Sequence, residues 1–148
     1  MLSQSLEQCE YFACLSFAGI QLLIPQTDIY SLEPTVDITP AVVNNSVGQL
    51  EQGGMQWTLY ALSADLNLLN NCPDNYHIAI LLKNQPLFGL LCEQVASITH
   101  HELSLHAIPT AMQNPSSPLL ALALMGEQLN YVSSAQAISR LFTQESSQ

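Results

Sequence analysis

One stretch, residues 48–69, constrains the fold more than any other part of the chain. It reads GQLEQGGMQWTLYALSADLNLL, and apolar side chains alternate with polar ones from Met55 to Ala61. A period of two predicts a strand with one face in a core. Gly53 and Gly54 come directly before it and supply the positive φ values of a tight turn. The stretch therefore predicts a β-hairpin.

The second strand of this hairpin is expected to lead into a short helix. Ser63 can cap the helix, and Asp65 falls in the first turn, where the helix dipole favours a negative charge. Leu62, Leu66 and Leu69 would share one face of it.

The two aromatic residues of the second strand are expected on opposite faces. Trp57 shares the apolar face and is predicted to lie in the core, whereas Tyr60 would point away from it. A partner could cover Tyr60 if the outer face is also apolar.

The charge balance excludes one class of function. Charged residues make up 9% of the chain, against roughly 25% in an average soluble domain. Lys83 and Arg140 are the only Lys or Arg residues, against twelve Asp and Glu and a formal net charge of -10. Two cations cannot follow a phosphate backbone, so no nucleic-acid partner is expected.

The chain is predicted to be cytoplasmic and not to insert into a membrane. The longest apolar run, residues 119–125, is far shorter than the roughly 20 residues that span a bilayer. Glu7 and Glu10 stand where a secretory signal would need Lys or Arg. The four cysteines lack a CxxC or zinc-like spacing and suit buried thiols in a reducing compartment.

The rest of the chain repeats the same order of elements. Strands are predicted over residues 11–17, 20–24, 28–32, 76–82, 87–92, 95–98, 119–125 and 127–132, with a helix after Ser133 and Ser134. Irregular, proline-containing stretches cover residues 33–45 and 100–118. Gly54 matches Gly126 at one offset, and Ile29 matches Val95 at another. Two such copies predict two small antiparallel barrels packed together.

A single domain is expected over residues 11–143. Its lobes would cover roughly residues 11–70 and 76–142, on either side of a turn-forming cluster at residues 70–75. Residues 1–10 are expected to form a loose amino terminus and residues 144–148 a tail.

This order of elements resembles the CheW-like domain, the adaptor module of bacterial chemotaxis signalling, from about Phe12 to Phe142. The segment CLSFAGIQLLIPQTDIYSL looks like that family's opening, with a strand, a glycine turn, an apolar strand ending at a proline and a bent continuation. The family's Ile, Pro and Gly before the central turn have counterparts at Ile38, Pro40 and Gly48. Its glycine and leucine in and after the turn have counterparts at Gly54 and Leu62.

The resemblance implies an all-β fold of two small SH3-like antiparallel β-barrel lobes with short helices. It also implies a non-catalytic adaptor that bridges the cytoplasmic tip of a chemoreceptor and a CheA-type histidine kinase. The partner surface would include the turn and its surroundings, at Gly48, Glu51, Gln52, Gly53, Gly54 and Tyr60. The family usually has a polar-Leu-Arg-Gly run at this turn, whereas the present turn has no arginine.

No catalytic residue, metal ligand or cofactor is expected. His100, His101, Glu102 and His106 form the main cluster of metal-ligand types, but on a strand His101 would point away from His100 and Glu102. A polar linker is the simpler interpretation. Cys92 has no cation or helix start nearby in the sequence to activate it, which favours a buried thiol.

Two alternatives remain open from the sequence. One is a diverged adaptor of a type IV pilus or other chemosensory-like pathway, which the altered turn favours. The other is a small-molecule-binding barrel or a minor enzyme. A large pocket with convergent polar groups would favour ligand binding, whereas exposed apolar patches would favour an adaptor.

Overall fold

Strands are the main secondary structure of the computed structural model, which describes residues 4–35, 38–40, 45–113 and 117–143. The strands within these residues are β1 (Tyr11–Phe17), β2 (Ile20–Pro25), β3 (Ile29–Pro34), β4 (Gly48–Gln52), β5 (Met55–Ala61), β6 (Ile78–Leu82), β7 (Phe88–Cys92), β8 (Gln94–Thr99), β9 (Ser104–His106), β10 (Ala121–Met125) and β11 (Gln128–Val132). The helices are α1 (Gln4–Glu7) and α2 (Ala135–Thr143). The predicted tail at residues 144–148 lies outside the described residues.

The strands form two sheets. One has six strands in the order β8-β1-β2-β11-β10-β9, and the other has five in the order β3-β6-β7-β5-β4. Neighbouring strands are antiparallel except for the pairs β2–β11 and β5–β7, which are parallel. Parallel neighbours need a long connection, and here each parallel pair joins strands that are far apart in the sequence.

Each sheet combines strands from both halves of the chain. The hairpin β1–β2 lies between β8 and β11, and the hairpin β6–β7 lies between β3 and β5. The two halves have therefore exchanged equivalent hairpins, in the same order in both sheets. The turn at residues 70–75 does not separate one sheet from the other, and the ranges 11–70 and 76–142 do not correspond to the two sheets.

The central hairpins are buried on both faces. Along β1, Leu15 and Phe17 face the large core that joins the two sheets, whereas Phe12 and Cys14 face a smaller core of the six-stranded sheet. All five residues of β7 are buried. Continuous apolar sequence is what such doubly covered strands require.

The five-stranded sheet curls back on itself. Tyr30 lies on β3, an edge strand, yet its ring centroid is 5.0 Å from that of Trp57 on β5, which is three strands away in the sheet. Curling brings the two edges together and leaves less of each edge exposed. The all-β expectation of two lobes is confirmed in the form of two curled sheets.

The helix predicted after Ser63 does not form. The Ser63 hydroxyl accepts the backbone N–H groups of Asp65 and Asn67, and Leu66 adopts a φ of 62°. Leu62 and Leu68 form an isolated bridge, so the chain reverses in a tight loop. Serine hydrogen bonds of this kind compete with helix formation. The apolar pattern instead reports burial, since Leu62 and Leu66 are both in the core.

The amino-terminal segment includes a short helix, although its sequence predicts a loose start. The α1 helix covers one end of the six-stranded sheet, and its Leu6 is only 3% exposed. Leu6 packs in the smaller core, together with Phe12 and Leu23. Strand β9, within the stretch expected to be irregular, pairs with β10.

The carboxy-terminal helix begins where the serine pair predicts. The Ser134 hydroxyl accepts the N–H of Ala137 at 3.1 Å, and a carboxylate oxygen of Asp28 accepts the N–H of Ala135 at 3.0 Å. These two contacts satisfy N–H groups of the first turn that have no partner within the helix. The helix is thereby fixed to the segment that connects β2 and β3.

Candidate functional site

The turn between β4 and β5 is built from two glycines with different surroundings. Gly53 and Gly54 have φ values of 62° and 74°, a region that L side chains rarely adopt. A Cβ added at Gly53 would lie 2.6 Å from the hydroxyl of Tyr30, whereas one at Gly54 would meet no atom within 4 Å. Tyr30 therefore covers one side of the turn and leaves the other open.

Exposed apolar side chains lie beside this turn and further along β3. Tyr30 and Leu32 are both exposed on β3, Leu32 to 51%. Met55 follows the turn, and a Cβ at Gly53 would lie 4.0 Å from its terminal methyl group. We call Tyr30, Leu32 and Met55 the β3 patch. Grouped exposed apolar side chains of this kind are typical of protein–protein contact sites.

The β3 patch has a rigid base and an acidic border. Trp57 lies beneath Tyr30, is fully buried as predicted, and donates its indole N–H to the carbonyl oxygen of Gln52 at 3.1 Å. Glu51 is exposed at the end of β4, and Glu33 is partly exposed on β3. The predicted site residues Glu51 and Gln52 thus lie at the end of β4, and Gly53 and Gly54 form the turn beside Tyr30 and Met55.

The expectation that Tyr60 faces outward is wrong. Tyr60 is 3% exposed, because Phe142 of α2 stacks on it with a centroid distance of 4.0 Å and an interplanar angle of 6°. Phe88 completes the cluster, 4.9 Å from Phe142. Burial also raises the pKa of the Tyr60 hydroxyl. The chain's own helix therefore occupies the position that a partner was expected to cover.

Gly48 has a packing role. It is buried, and a Cβ at this position would run into the side chain of Ile38 and lie 3.0 Å from the carbonyl oxygen of Thr39. The backbone N–H of Thr39 donates to Gln49, next to Gly48. Gly48 thus allows the preceding segment to approach β4.

A cleft of about 950 Å³ lies between the end of β2, the amino-terminal segment, the β6–β7 turn and α2. Lys83 and Arg140 both line it. Asp28 joins two of its sides, because the Asp28 carboxylate accepts the N–H of Ala135 and its carbonyl oxygen accepts the N–H of Lys83 at 2.7 Å. We call this region the Lys83–Arg140 cleft.

The thiols are not placed for nucleophilic chemistry. All four cysteines are free, and Cys14 and Cys92 are buried. Burial, reinforced by the Glu93 carboxylate and by Cys14, raises the pKa of the Cys92 thiol to about 12. The thiolate is the reactive form of cysteine, and at neutral pH Cys92 remains protonated.

The histidine cluster is occupied by local contacts. The Nδ1 atom of His100 lies 3.0 Å from the carbonyl oxygen of Cys9, and its ring stacks on Phe12. Glu102 accepts hydrogen bonds from the backbone and hydroxyl of Thr99. Within residues 4–35, 38–40, 45–113 and 117–143, no group of three or more His, Cys, Asp or Glu could hold a metal ion. In the same residues, no helix is long and apolar enough to cross a membrane.

Sequence reasoning missed the β3 patch and the Lys83–Arg140 cleft. Tyr30 and Leu32 alternate with Ile29 and Ser31, and this alternation does not show which face of an edge strand is covered. The cleft joins segments far apart in the sequence. The sequence did contain one signal for the cleft. Lys83 and Arg140 are the only Lys or Arg residues, so their positions in the fold were worth locating.

Two interleaved, curled sheets with a short carboxy-terminal helix define a two-lobed, all-β fold. Among solved structures, the chain is similar to the scaffolding protein TtCheW from Thermoanaerobacter tengcongensis, with a TM-score of 0.66 and 13% sequence identity over 85% of this chain and 89% of that chain. No protein-family model matches the sequence, and no curated protein shows a significant match to it. At this level of identity the likeness concerns the fold, and the chain has the CheW-like fold.

Proposed function

We propose that this protein is a non-catalytic, cytoplasmic adaptor of a chemotaxis-type pathway that couples a chemoreceptor to a CheA-type histidine kinase. The observation that carries this proposal is the likeness to a CheW scaffolding protein along 85% of the chain. An adaptor needs preformed surfaces that complement its partners, and micromolar affinity, about 8 kcal/mol of binding free energy, is sufficient for array assembly.

The β3 patch is the proposed contact with one of these partners. Tyr30 supplies a large aromatic surface on the rigid support of Trp57, and such anchors carry much of the binding energy of interfaces. Glu51, Gln52, Gly53 and Gly54 form the border of the contact. This acidic border favours a partner surface that combines apolar and basic side chains.

The proposal is tested by binding the purified chain to a CheA-type kinase and to a chemoreceptor cytoplasmic fragment from the same organism. We expect Leu32→Gln to weaken binding to one of them at least tenfold, measured by isothermal titration calorimetry. Leu129→Gln is the matched control, because Leu129 is 52% exposed but lies on β11 of the other sheet. Circular dichroism would show whether each variant is folded.

Two results would count against this function. Failure of the unaltered chain to bind either protein would leave only the fold in common with chemotaxis scaffolds. Equal weakening by Leu32→Gln and Leu129→Gln would show that the β3 patch is not the contact surface.

Binding to a basic partner is also expected to depend on salt. The chain has a net charge of -10, so electrostatic attraction should raise the association rate at low ionic strength. An association rate that stays constant between low and high salt would contradict this expectation.

A diverged adaptor of a type IV pilus or other chemosensory-like pathway is the second candidate. The turn Glu51-Gln52-Gly53-Gly54 favours it, because the arginine usual at this turn is absent. The family's arginine would fall at Gly53, where a Cβ would lie 2.6 Å from the Tyr30 hydroxyl. Gln52→Arg instead places a cation at the neighbouring position and tests this alternative. If binding to the CheA-type kinase or the receptor rises only in this variant, the native partner belongs to a different pathway.

A further inference from the structure

We propose that the Lys83–Arg140 cleft binds an acidic segment of a partner polypeptide. This inference extends the proposed adaptor function by assigning a second contact surface with the opposite charge preference. Positive charge is unevenly distributed, because the chain has two Lys or Arg residues in all, and both line the same cleft.

The formal charge of the cleft differs strongly from that of the rest of the chain. Two of the twelve acidic residues, Glu10 and Asp28, also line the cleft, so its formal charges balance. Everywhere else the chain has ten carboxylates and no Lys or Arg. A carboxylate-bearing partner is therefore repelled by the rest of the chain and finds Lys or Arg side chains only in the cleft, which favours an approach in this orientation.

The two cations are available to a ligand. Lys83 directly follows β6, Arg140 lies in the last turn of α2, and both side chains are exposed. Neither forms an ion pair with another described residue. Asp28, whose carbonyl oxygen accepts the backbone N–H of Lys83, accepts the N–H of Ala135 with its carboxylate.

The size and lining of the cleft fit a polypeptide segment. Its volume of about 950 Å³ lies at the upper end of the range found for small-molecule sites, about 300 to 1,000 Å³. Tyr11 is 50% exposed where it lines the cleft, and Pro25 and Leu120 add apolar surface. An aromatic side chain beside cations can accommodate a segment in which acidic and apolar residues alternate.

The cleft and the β3 patch share no residue. The residues that line the cleft include Gln26 and Asp28 but not Tyr30, Leu32 or Met55. Their charge preferences are opposite, because the patch is bordered by Glu33 and Glu51 and the cleft contains both cations. One adaptor could thus hold a basic and an acidic partner together.

The test uses the full chain, labelled with ¹⁵N, and a blocked peptide of alternating glutamate and leucine. We expect shifts in the NMR signals of Tyr11, Lys83 and Arg140, and at least tenfold weaker binding when glutamine replaces the peptide's glutamates. The double variant Lys83→Gln, Arg140→Gln should also lose at least tenfold in affinity.

A matched control separates the site from overall charge. The double variant Gln94→Glu, Gln128→Glu also lowers the net charge by two, at exposed positions outside the cleft, and should bind the peptide with an affinity within twofold of the original. An equal loss in both double variants would show general repulsion and overturn the site.

Binding of a small dicarboxylate and of the peptide to a Leu32→Gln variant is measured as well. If glutarate binds the same residues as tightly as the peptide, the cleft is a small-dicarboxylate site and the polypeptide assignment is wrong. Peptide binding is also measured with Leu32→Gln, where it should not change. A failed kinase interaction with intact peptide binding would overturn the proposed function and leave this cleft assignment standing.

Discussion

Gly53 and Gly54 adopt similar backbone conformations but face different surroundings. Both φ values are positive, so alanine at either position should cost about 1 kcal/mol of unfolding free energy from backbone strain. Gly53→Ala should cost about 1 kcal/mol more, because its Cβ displaces Tyr30 from Trp57. Urea denaturation measures both costs.

The Tyr30 hydroxyl oxygen is expected to cause the difference between the two alanine variants. In a Tyr30→Phe background the hydroxyl that a Gly53 Cβ would meet is gone, while the ring carbon next to it lies 3.7 Å from the Cβ position. The two alanine variants should then cost the same. A difference that persists would mean that Tyr30 does not restrict the turn.

Cys92 links burial to the pH dependence of stability. Its pKa is raised from 9.0 to about 12 in the folded chain, chiefly by burial. Between these values the unfolded chain has lost the thiol proton and the folded chain has kept it. The stabilisation that the protonated Cys92 thiol gives to the folded chain is therefore complete below pH 9. It is lost as the pH rises towards 12.

The expected slope for this one group approaches 1.4 kcal/mol of unfolding free energy per pH unit above pH 9. Urea denaturation at pH 8 and pH 10 should show a smaller decrease for Cys92→Ala than for the original chain. Leu129→Ala, an exposed substitution without a titrating group, is the control. Equal decreases in all three proteins would contradict the assignment to Cys92.

The helix α2 is held on the sheet by an aromatic contact. Phe142 stacks on Tyr60 and meets Phe88 edge to face. Phe142→Ala should reduce the unfolding free energy by about 2 to 3 kcal/mol, since Phe142 is only partly buried and full burial would give about 3 to 5.

The control for Phe142→Ala lies on the same helix. Gln136 is exposed, and Gln136→Ala should change the unfolding free energy by less than about 0.5 kcal/mol. If both variants show the same stability in urea, the aromatic cluster does not hold the helix in place.

The edge strands explain why apparently equivalent apolar residues have different roles. Trp57 and Leu59 lie on β5, between β7 and β4, and both are buried. Tyr30 and Leu32 lie on β3, whose outer edge has no neighbour in the sheet among the described strands. Period-two patterns are the same in both strands, and only the position in the sheet decides which face is covered.

The exchange of hairpins makes the whole chain a single folding unit. Each sheet needs the hairpin of the other half to connect its outer strands. We therefore expect that residues 1–72 and 73–148, produced separately, are unfolded by circular dichroism. Mixing them should restore the β-rich spectrum of the intact chain, because the break falls in an exposed turn region.

A folded spectrum for either half alone would contradict this expectation. It would mean that each half can close its own barrel, as the lobe boundaries at residues 11–70 and 76–142 imply. Thermal unfolding of the intact chain in one cooperative transition would support the interleaved arrangement.

Local patterns along the chain were sufficient for the positions of most strands, the glycine turn, the start of α2 and the burial of Trp57. These features depend on neighbouring residues: the alternation of side chains, glycine at positive φ and serine as a helix cap. The order of elements was also sufficient to indicate a CheW-like fold, which the likeness to a solved scaffolding protein confirms.

Tertiary structure alone decided the exchange of hairpins, the burial of Tyr60 beneath Phe142 and the placement of Lys83 and Arg140 in one cleft. Each depends on segments far apart in the sequence. A repeating pattern shows that a face is apolar, but not which distant segment covers it. Pairing between strands and packing of helices on sheets settle that choice, because they bury the most apolar surface with every backbone group bonded.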